Sequence, residues 1–291
     1  MNVLYQLVLR NVRLFLRDRA AVFFSFLSVI IILAMYILFL GKVQRMNLPQ
    51  EVIDIEGGDW LISSWIMAGI LTVSTVTVPL GAVGNLIDDR ADGLLNDFYT
   101  SPISRNILAL SYLISSWVIG LIMVILNLII GQIYVLSQGG ELLGLLSNLK
   151  LLGLVILSIM TFSSFFFFVS LFVRTRNAYG TLATLTGTFV GFLGGIYLPI
   201  GMLGKNVQNV MNALPTAHAV TIIRRVYMSD AIDKVFANAP EEAYNDYASF
   251  NGLEVVIGNH ALSSFEMVLS MVVFMLVFYS LSVWKLSRSK L

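Results

Sequence analysis

The sequence predicts an all-α polytopic membrane protein with six transmembrane helices, and three observations carry that prediction. Of its 291 residues, 57% are hydrophobic and only 12% are charged, whereas a soluble domain carries about 25% charged residues. Mean hydropathy is +0.84. The 18 basic and 17 acidic residues are gathered into short segments, separated by long runs that hold none. There is no cysteine, which excludes disulfides and thiolate chemistry and leaves the redox compartment unread.

The chain opens on an amphipathic segment, residues 1–19. On a helical wheel Gln6, Arg10, Arg13 and Arg17 share one face, and Leu4, Leu7, Val8, Val12 and Phe15 lie opposite. Such a helix is expected to lie in the interface with its arginines toward anionic lipid headgroups. A cleaved signal peptide is the rival reading, but no small-residue cleavage site follows the apolar run. Residues 20–40 form the first span, which is uncharged and matches a hydrocarbon core of roughly 30 Å. A polar connection, Gly41 to Asp59, leads to the second span, 60–84, with Pro79 near its inner end. The third span, 106–136, closes on a Gly139-Gly140 turn. Spans at 151–173 and 178–198 follow, joined by the basic turn Arg174 to Asn177. The last span is 265–285, built on the uncharged run Met267 to Trp284, with Lys285, Arg288 and Lys290 at and beyond its end.

Lysine and arginine set the orientation. With the N-terminus in the cytoplasm, the inner segments hold Arg10, Arg13, Arg17, Arg19, Arg90, Arg105, Arg174, Arg176, Lys285, Arg288 and Lys290. The short outer loops hold only Lys42, Arg45 and Lys150, a clear positive-inside bias that puts both termini in the cytoplasm. Residues 199–262 are then outside. Val207, Val210, Met211 and Leu214 repeat at helical spacing before Pro215, and Ala217 to Val226 is a second short helical stretch. Each is too short to span, so the pair reads as a re-entrant hairpin or as an interfacial pair lying flat. From Ser229 to Asn259 the chain turns acidic, as an outward cap or a spacer.

The stretch 86–105 lies between two long uncharged runs and holds Asp88, Asp89, Arg90, Asp92, Asp97 and Arg105. Asp92 is placed to cap a short helix. Leu94, Leu95 and Phe98 then fall on one face, with Asn96 and Asp97 elsewhere. Ser101-Pro102 stops it, because the residue before proline is pushed out of the α region. The result is a small amphipathic element on the aqueous side that another protein can grip; an ordinary solvated loop is the plainer alternative.

Catalytic chemistry is absent from the pattern. Gly201 to Asn206 has the wrong spacing for a phosphate-binding loop and lacks the hydroxyl that would hold magnesium. His218 and His260 have no neighbours at ligand spacing. The serine pairs Ser63-Ser64 and Ser163-Ser164 have no base within their spans. All formal charges can be placed outside the six spans, whereas ion-coupled carriers keep carboxylates near the midplane. A transporter built this way draws its energy from elsewhere. On the fifth span Ala183, Gly187, Gly191 and Gly195 recur every four residues, a smooth stripe suited to a dimer seam or to packing within the chain. Thr184 and Thr188 lie beside it, and Asn127 and Gln132 are amides inside the third span; these four are candidate pathway residues or helix glue. The Phe165 to Phe168 run points all round its helix and does not mark a ligand pocket.

The stretch from Asp89 through Asp92-Gly93 to Pro102 and Arg105 resembles the cytoplasmic motif of the ABC-2 family of exporter permeases, which reads acidic-basic-x-acidic-Gly-Thr-Leu-Glu, then Ser/Thr-Pro and a basic residue. Leu198-Pro199, Val207 to Met211 and Leu214-Pro215 to Ala219 resemble the family's second signature, before the last span. Leu94 and Asn96-Asp97 stand where the family prefers Thr and Glu, and 229–262 reads as an extra outer insertion. The resemblance implies a membrane subunit without catalytic residues of its own. It implies a pair of permease protomers, commonly identical, seated on two ATP-binding subunits that hold ATP and magnesium. Asp88, Asp89, Arg90, Asp92, Gly93, Leu94, Leu95, Phe98 and Pro102 would form the coupling element, and the N-terminal helix a second contact. Lipids are the other partner, and nucleic acid is not one. The layout is most similar to drug, antibiotic or antimicrobial-peptide exporters of the bacterial plasma membrane.

Overall fold

A computed structural model describes residues 3–46 and 57–288. Glu51, Asp54 and Glu56 of the first outer connection, and Lys290, lie outside the described residues. The described chain is a helical bundle. In order it runs α1 (Val3–Arg17), α2 (Arg19–Met35) continued by a π-helical turn (Tyr36–Leu40) into α3 (Gly41–Met46), α4 (Gly58–Ala91), α5 (Leu94–Thr100), α6 (Arg105–Ser137), α7 (Leu145–Ser170) and α8 (Arg176–Leu193). Then come a 3-10 turn (Ile200–Met202), α9 (Lys205–Asn212), α10 (Pro215–Tyr227), α11 (Ser229–Val235), α12 (Glu241–Phe250) and α13 (Ser264–Arg288). A two-residue antiparallel hairpin pairs Val256–Ile257 with His260–Ala261 between α12 and α13.

The central post is α4. Its 34 residues make a rod of about 51 Å at 1.5 Å per residue, longer than a hydrocarbon core of roughly 30 Å. Its most apolar window is 89% buried, against 18% for α2 and 17% for α13, so it stands inside the bundle and they stand at its edge. α6, α7, α8 and α10 pack around it, α13 packs on α7 and α10, and α1 lies across α6. On α1, Leu7, Val12 and Phe15 are buried in two apolar clusters with residues of α4 and α6, as the apolar face of an amphipathic helix requires.

Among the described residues five helices are long and apolar enough to cross a membrane: α2 with its π-helical turn, α4, α6, α7 and α13. The predicted fifth span, 178–198, is α8, shorter at 18 residues and about 27 Å. It ends at Leu193, not at 198. Gly195 takes a left-handed φ of 58°, Ile196 N–H donates to Gly191 O at 2.9 Å and Gly195 N–H to Phe192 O at 2.9 Å, the bond pair of a Schellman stop. The same device ends α6 at the expected Gly139-Gly140 turn, with Gly139 at φ 78° and Gly140 N–H bonded to Val135 O at 3.0 Å.

Of the two short helices read in residues 199–228, α10 lies inside the bundle, while α9 leaves Val207 and Val210 exposed. Ala217, Val220, Ile222, Ile223 and Tyr227 are all buried, and the helix packs on α4, α7 and α13, so it does not lie flat on the surface. Residues 229–259 fold back as a cap, burying Val235, Tyr247, Ala248, Leu253 and Val255 in the cluster that holds Trp60 and Trp65 of α4.

Close approach at Gly120 sets the spacing of α6 from its neighbours. A Cβ there would stand 2.9 Å from Ile159 Cγ2 and 3.3 Å from Pro79 Cγ. Gly120→Val is therefore expected to cost about 1–3 kcal/mol by overpacking, read as a lower thermal midpoint in nanodiscs. Gly153→Ala, where a Cβ meets open space inside α7, is the control that does not lower the midpoint and should raise it slightly through helix propensity.

Candidate functional site

The charged stretch after the second span is divided between two helices. α4 runs on to Ala91, so Asp88, Asp89 and Arg90 belong to its last turns. Asp92 was expected as an N-cap, and this is a correction. It is the C-cap of α4, with φ −82° and ψ −2°, and its backbone N–H closes that helix by bonding to Asp88 O. Gly93 takes the N-cap position of α5, at φ 78°. A Cβ there would meet open space, so the left-handed backbone alone calls for glycine. The extended Ser101 ends α5, and Pro102, exposed, follows it. Ser104 Oγ then accepts from Ile107 N–H to start α6.

On α5 the apolar face is narrower than the sequence indicates. Leu95 is buried against Leu86, Leu108 and Leu171, with Phe98 half-buried beside it. Leu94 is exposed together with Asn96 and Asp97. Leu95 and Phe98 are three apart and share the inward face, while Leu94 is rotated about 100° from Leu95.

Each charged residue at the end of α4 reaches a different part of the bundle. Asp89 is buried and accepts two bonds from Arg10 of α1, at 2.6 and 2.8 Å, and a third from the Tyr112 hydroxyl of α6 at 2.5 Å. A carboxylate removed from water needs such a counter-ion and full hydrogen bonding. That need turns Arg10 inward, away from the headgroups it was expected to meet; Arg13 and Arg17 stay exposed. The carboxylate holds the Arg10 guanidinium above its ordinary range, chiefly through these hydrogen bonds. Arg10 also stands 5.4 Å from the Phe98 ring centroid, which ties α1 to α5. Arg90 donates to Ser170 O at 3.2 Å and to Val173 O, closing the end of α7. Arg176, at the start of α8, bridges Asp88 at 2.8 Å and Asp92 at 2.5 Å. Those two pairs are about half exposed, so water screens them and they contribute little energy; they fix geometry.

Beside α4 lies a cleft of about 560 Å³ between α2 and α8, within the range of about 300–1,000 Å³ typical of small-molecule sites. Ile31, Ile32 and Met35 form one wall, Val73 and Thr77 the floor, and Ala183, Thr184, Gly187, Thr188 and Phe192 the other wall. Tyr197 and Leu198 close one end. Four residues of the fifth predicted span, Ala183, Thr184, Gly187 and Thr188, thus meet in one cleft. The small-residue stripe does not continue beyond them. Gly191 lies under the Tyr197 ring, 2.2 Å from where its Cβ would be, and Gly195 is in the turn that ends α8. The two amides do not line the cleft either. Asn127 donates to Ser74 Oγ at 2.9 Å, joining α6 to α4, and Gln132 accepts from Leu143 N–H at 3.3 Å in the turn after α6.

Residues 2–228 match the family model described as ABC-2 type transporter. The chain belongs to that family. No curated protein matches it. It is therefore the membrane-spanning permease component of an ABC transporter, a multi-pass protein of a family that is not itself catalytic and normally partners with an ATP-binding subunit. The ABC-2 match takes in α1, the charged knot, the cleft and α10, and ends just before the cap.

One residue inside the matched segment escaped the sequence reading. Arg224 falls in residues 199–262, read from the sequence as outside, yet its side chain is enclosed within the ABC-2 domain, 1% exposed. Its guanidinium stands 4.2 Å over the Trp65 ring. The available signal was helical spacing: Ala217, Val220 and Arg224 recur on one face of α10, between apolar Ile222, Ile223 and Val226.

Proposed function

We propose that this permease is the membrane subunit of an ATP-driven exporter that moves a hydrophobic or amphipathic molecule, such as a drug, antibiotic, antimicrobial peptide or lipid, out of a bacterial cell. Two copies of the chain face each other in the plasma membrane with both termini in the cytoplasm and α8 as a sixth span. Two ATP-binding subunits sit beneath them and hold ATP and magnesium. Their closure pushes α5 and, through Asp89, Arg90 and Arg176, the ends of α1, α6, α7 and α8 together. The cleft between α2 and α8 then alternates between inward and outward access.

The observation that carries this reading is the knot itself. One exposed seven-residue helix is joined through Gly93 to a rod whose last turns grip four other helices. The cleft supports the cargo class: its lining is mostly apolar and includes no charged side chain. The hydroxyls of Thr77, Thr184 and Thr188 already donate to carbonyls of their own helices, so toward a cargo they offer acceptors on an apolar wall.

Reconstitution tests the reading. Proteoliposomes holding the permease and its ATP-binding subunit should accumulate a fluorescent amphipathic cargo only with hydrolysable ATP. Accumulation by the permease alone, without nucleotide, would instead mark a channel or secondary carrier.

A further inference from the structure

The buried Arg224 guanidinium has no carboxylate within ion-pair distance among the described residues. What it holds is backbone. One terminal nitrogen donates to Asn251 O at 3.0 Å, in the turn that follows α12 of the cap. The other donates to Gly195 O at 2.8 Å, in the turn that ends α8. Its Nε has no hydrogen-bond partner among the described residues. The same Asn251 carbonyl accepts from the Trp65 indole of α4 at 2.8 Å, and the Asn251 side chain accepts from Gln44 of α3. A buried cation is costly in an apolar interior, and an apolar residue of similar volume often serves stability as well. Two charge-assisted bonds give this one a different value: they join the turn after α12 directly to the turn after α8, beside the packing of Phe250 on Gly201.

Each segment leads somewhere. Past Gly195, Ile196 is buried against Gly69 of α4 and Tyr197 covers Gly191 at the closed end of the cleft. Asn251 belongs to the cap, residues 229–262, which begins where the family match ends.

We propose that Arg224 is a positioning residue that fastens the cap to the rim of the cleft, so that the cap holds the 194–198 turn down and its release opens the cleft at that end. The proposal rests on the transport reading only for the cleft's purpose, and its test needs neither ATPase nor cargo.

The chain lacks cysteine, so single-cysteine variants report directly. In the full chain in membranes, Ile196→Cys should react slowly with a membrane-impermeant maleimide, because that side chain is 2% exposed. Adding Arg224→Lys, which keeps the cation but cannot fork to two carbonyls, should raise the rate about tenfold or more, as the loss of a charge-assisted bond implies. Arg224→Met should do the same. Ser158→Cys, in the packed face of α7 with no exposure, should stay unreactive in both backgrounds. An unchanged rate at position 196, or an equal rise at position 158, overturns the proposal. Hydrogen exchange on the unmodified chain decides it whether or not the variants insert: residues 194–198 and 251–254 should open in one event at one rate. Exchange of one turn while the other stays protected overturns it. Failure of these measurements would leave the exporter reading standing, and failed export beside Arg224-dependent labelling would remove the exporter reading alone.

Discussion

Asp89→Ala is expected to destabilise the permease more than any other single change at the charged knot, by about 3 kcal/mol, the lower end of the range for removing one partner of a buried ion pair. The lower end applies because the Arg10 side chain keeps 30% of its surface exposed, so water takes up part of the orphaned charge. The ranking is the sharper test. Asp89→Ala strands both Arg10 and Tyr112, whereas Tyr112→Phe removes one of three bonds and should cost about 1 kcal/mol. Arg10→Met should fall between them. Unfolding in detergent across the Asp89–Arg10 double-mutant cycle should return a coupling energy of about 1.5 kcal/mol or more. Additive effects would mean that α1 and α4 are not joined through this carboxylate. Nucleotide-dependent export should fail with Asp89→Ala even in the fraction that remains folded.

Leu94→Asp and Leu95→Ala, neighbours on α5, are expected to separate stability from coupling. Leu95 is 5% exposed and packs among leucines and a phenylalanine of three other helices, so truncation should cost about 2–4 kcal/mol. Leu94 is 38% exposed and belongs to none of the apolar clusters among the described residues, so an aspartate there should shift stability by less than about 0.5 kcal/mol. If α5 is the contact with the ATP-binding subunit, Leu94→Asp should instead reduce cargo-stimulated ATP hydrolysis by roughly a hundredfold, as loss of an apolar interface hot spot does. Hydrolysis at the unmodified level in a complex that still forms would place the contact elsewhere.

Much of this architecture was legible because charge is so scarce. The runs without lysine, arginine, aspartate or glutamate mark α2, α4, α6, α7 and α13 to within a few residues. The turn at Gly139-Gly140 follows from glycine's access to left-handed backbone. What stayed hidden depended on neighbours distant in sequence. A span was ended at its first charges, yet α4 continues as helix through Asp88 and Asp89, because charged residues need only leave the apolar layer and not the helix. Asp92 therefore reached the wrong end of a helix to cap the next one. Arg10 lies on a polar stripe like Arg13 and Arg17, and only a carboxylate 79 positions away distinguishes it. Asn127 differs from a pathway amide only through Ser74 on another helix. Arg224 sits in the short helical stretch Ala217 to Val226 of the region read as outer, and only the folding back of residues 229–259 over Trp65 makes it interior.

The unbroken course of α4 has a mechanical corollary. A rod of about 51 Å that leans by about 5° carries its far tip sideways by roughly 4 Å, with every internal hydrogen bond intact. Asp89 stands near one tip and Trp65 near the other. Displacement at the Asp89 tip would therefore reach the Trp65 tip by leverage, and its amplitude would depend on where along the shaft the neighbouring helices provide the fulcrum.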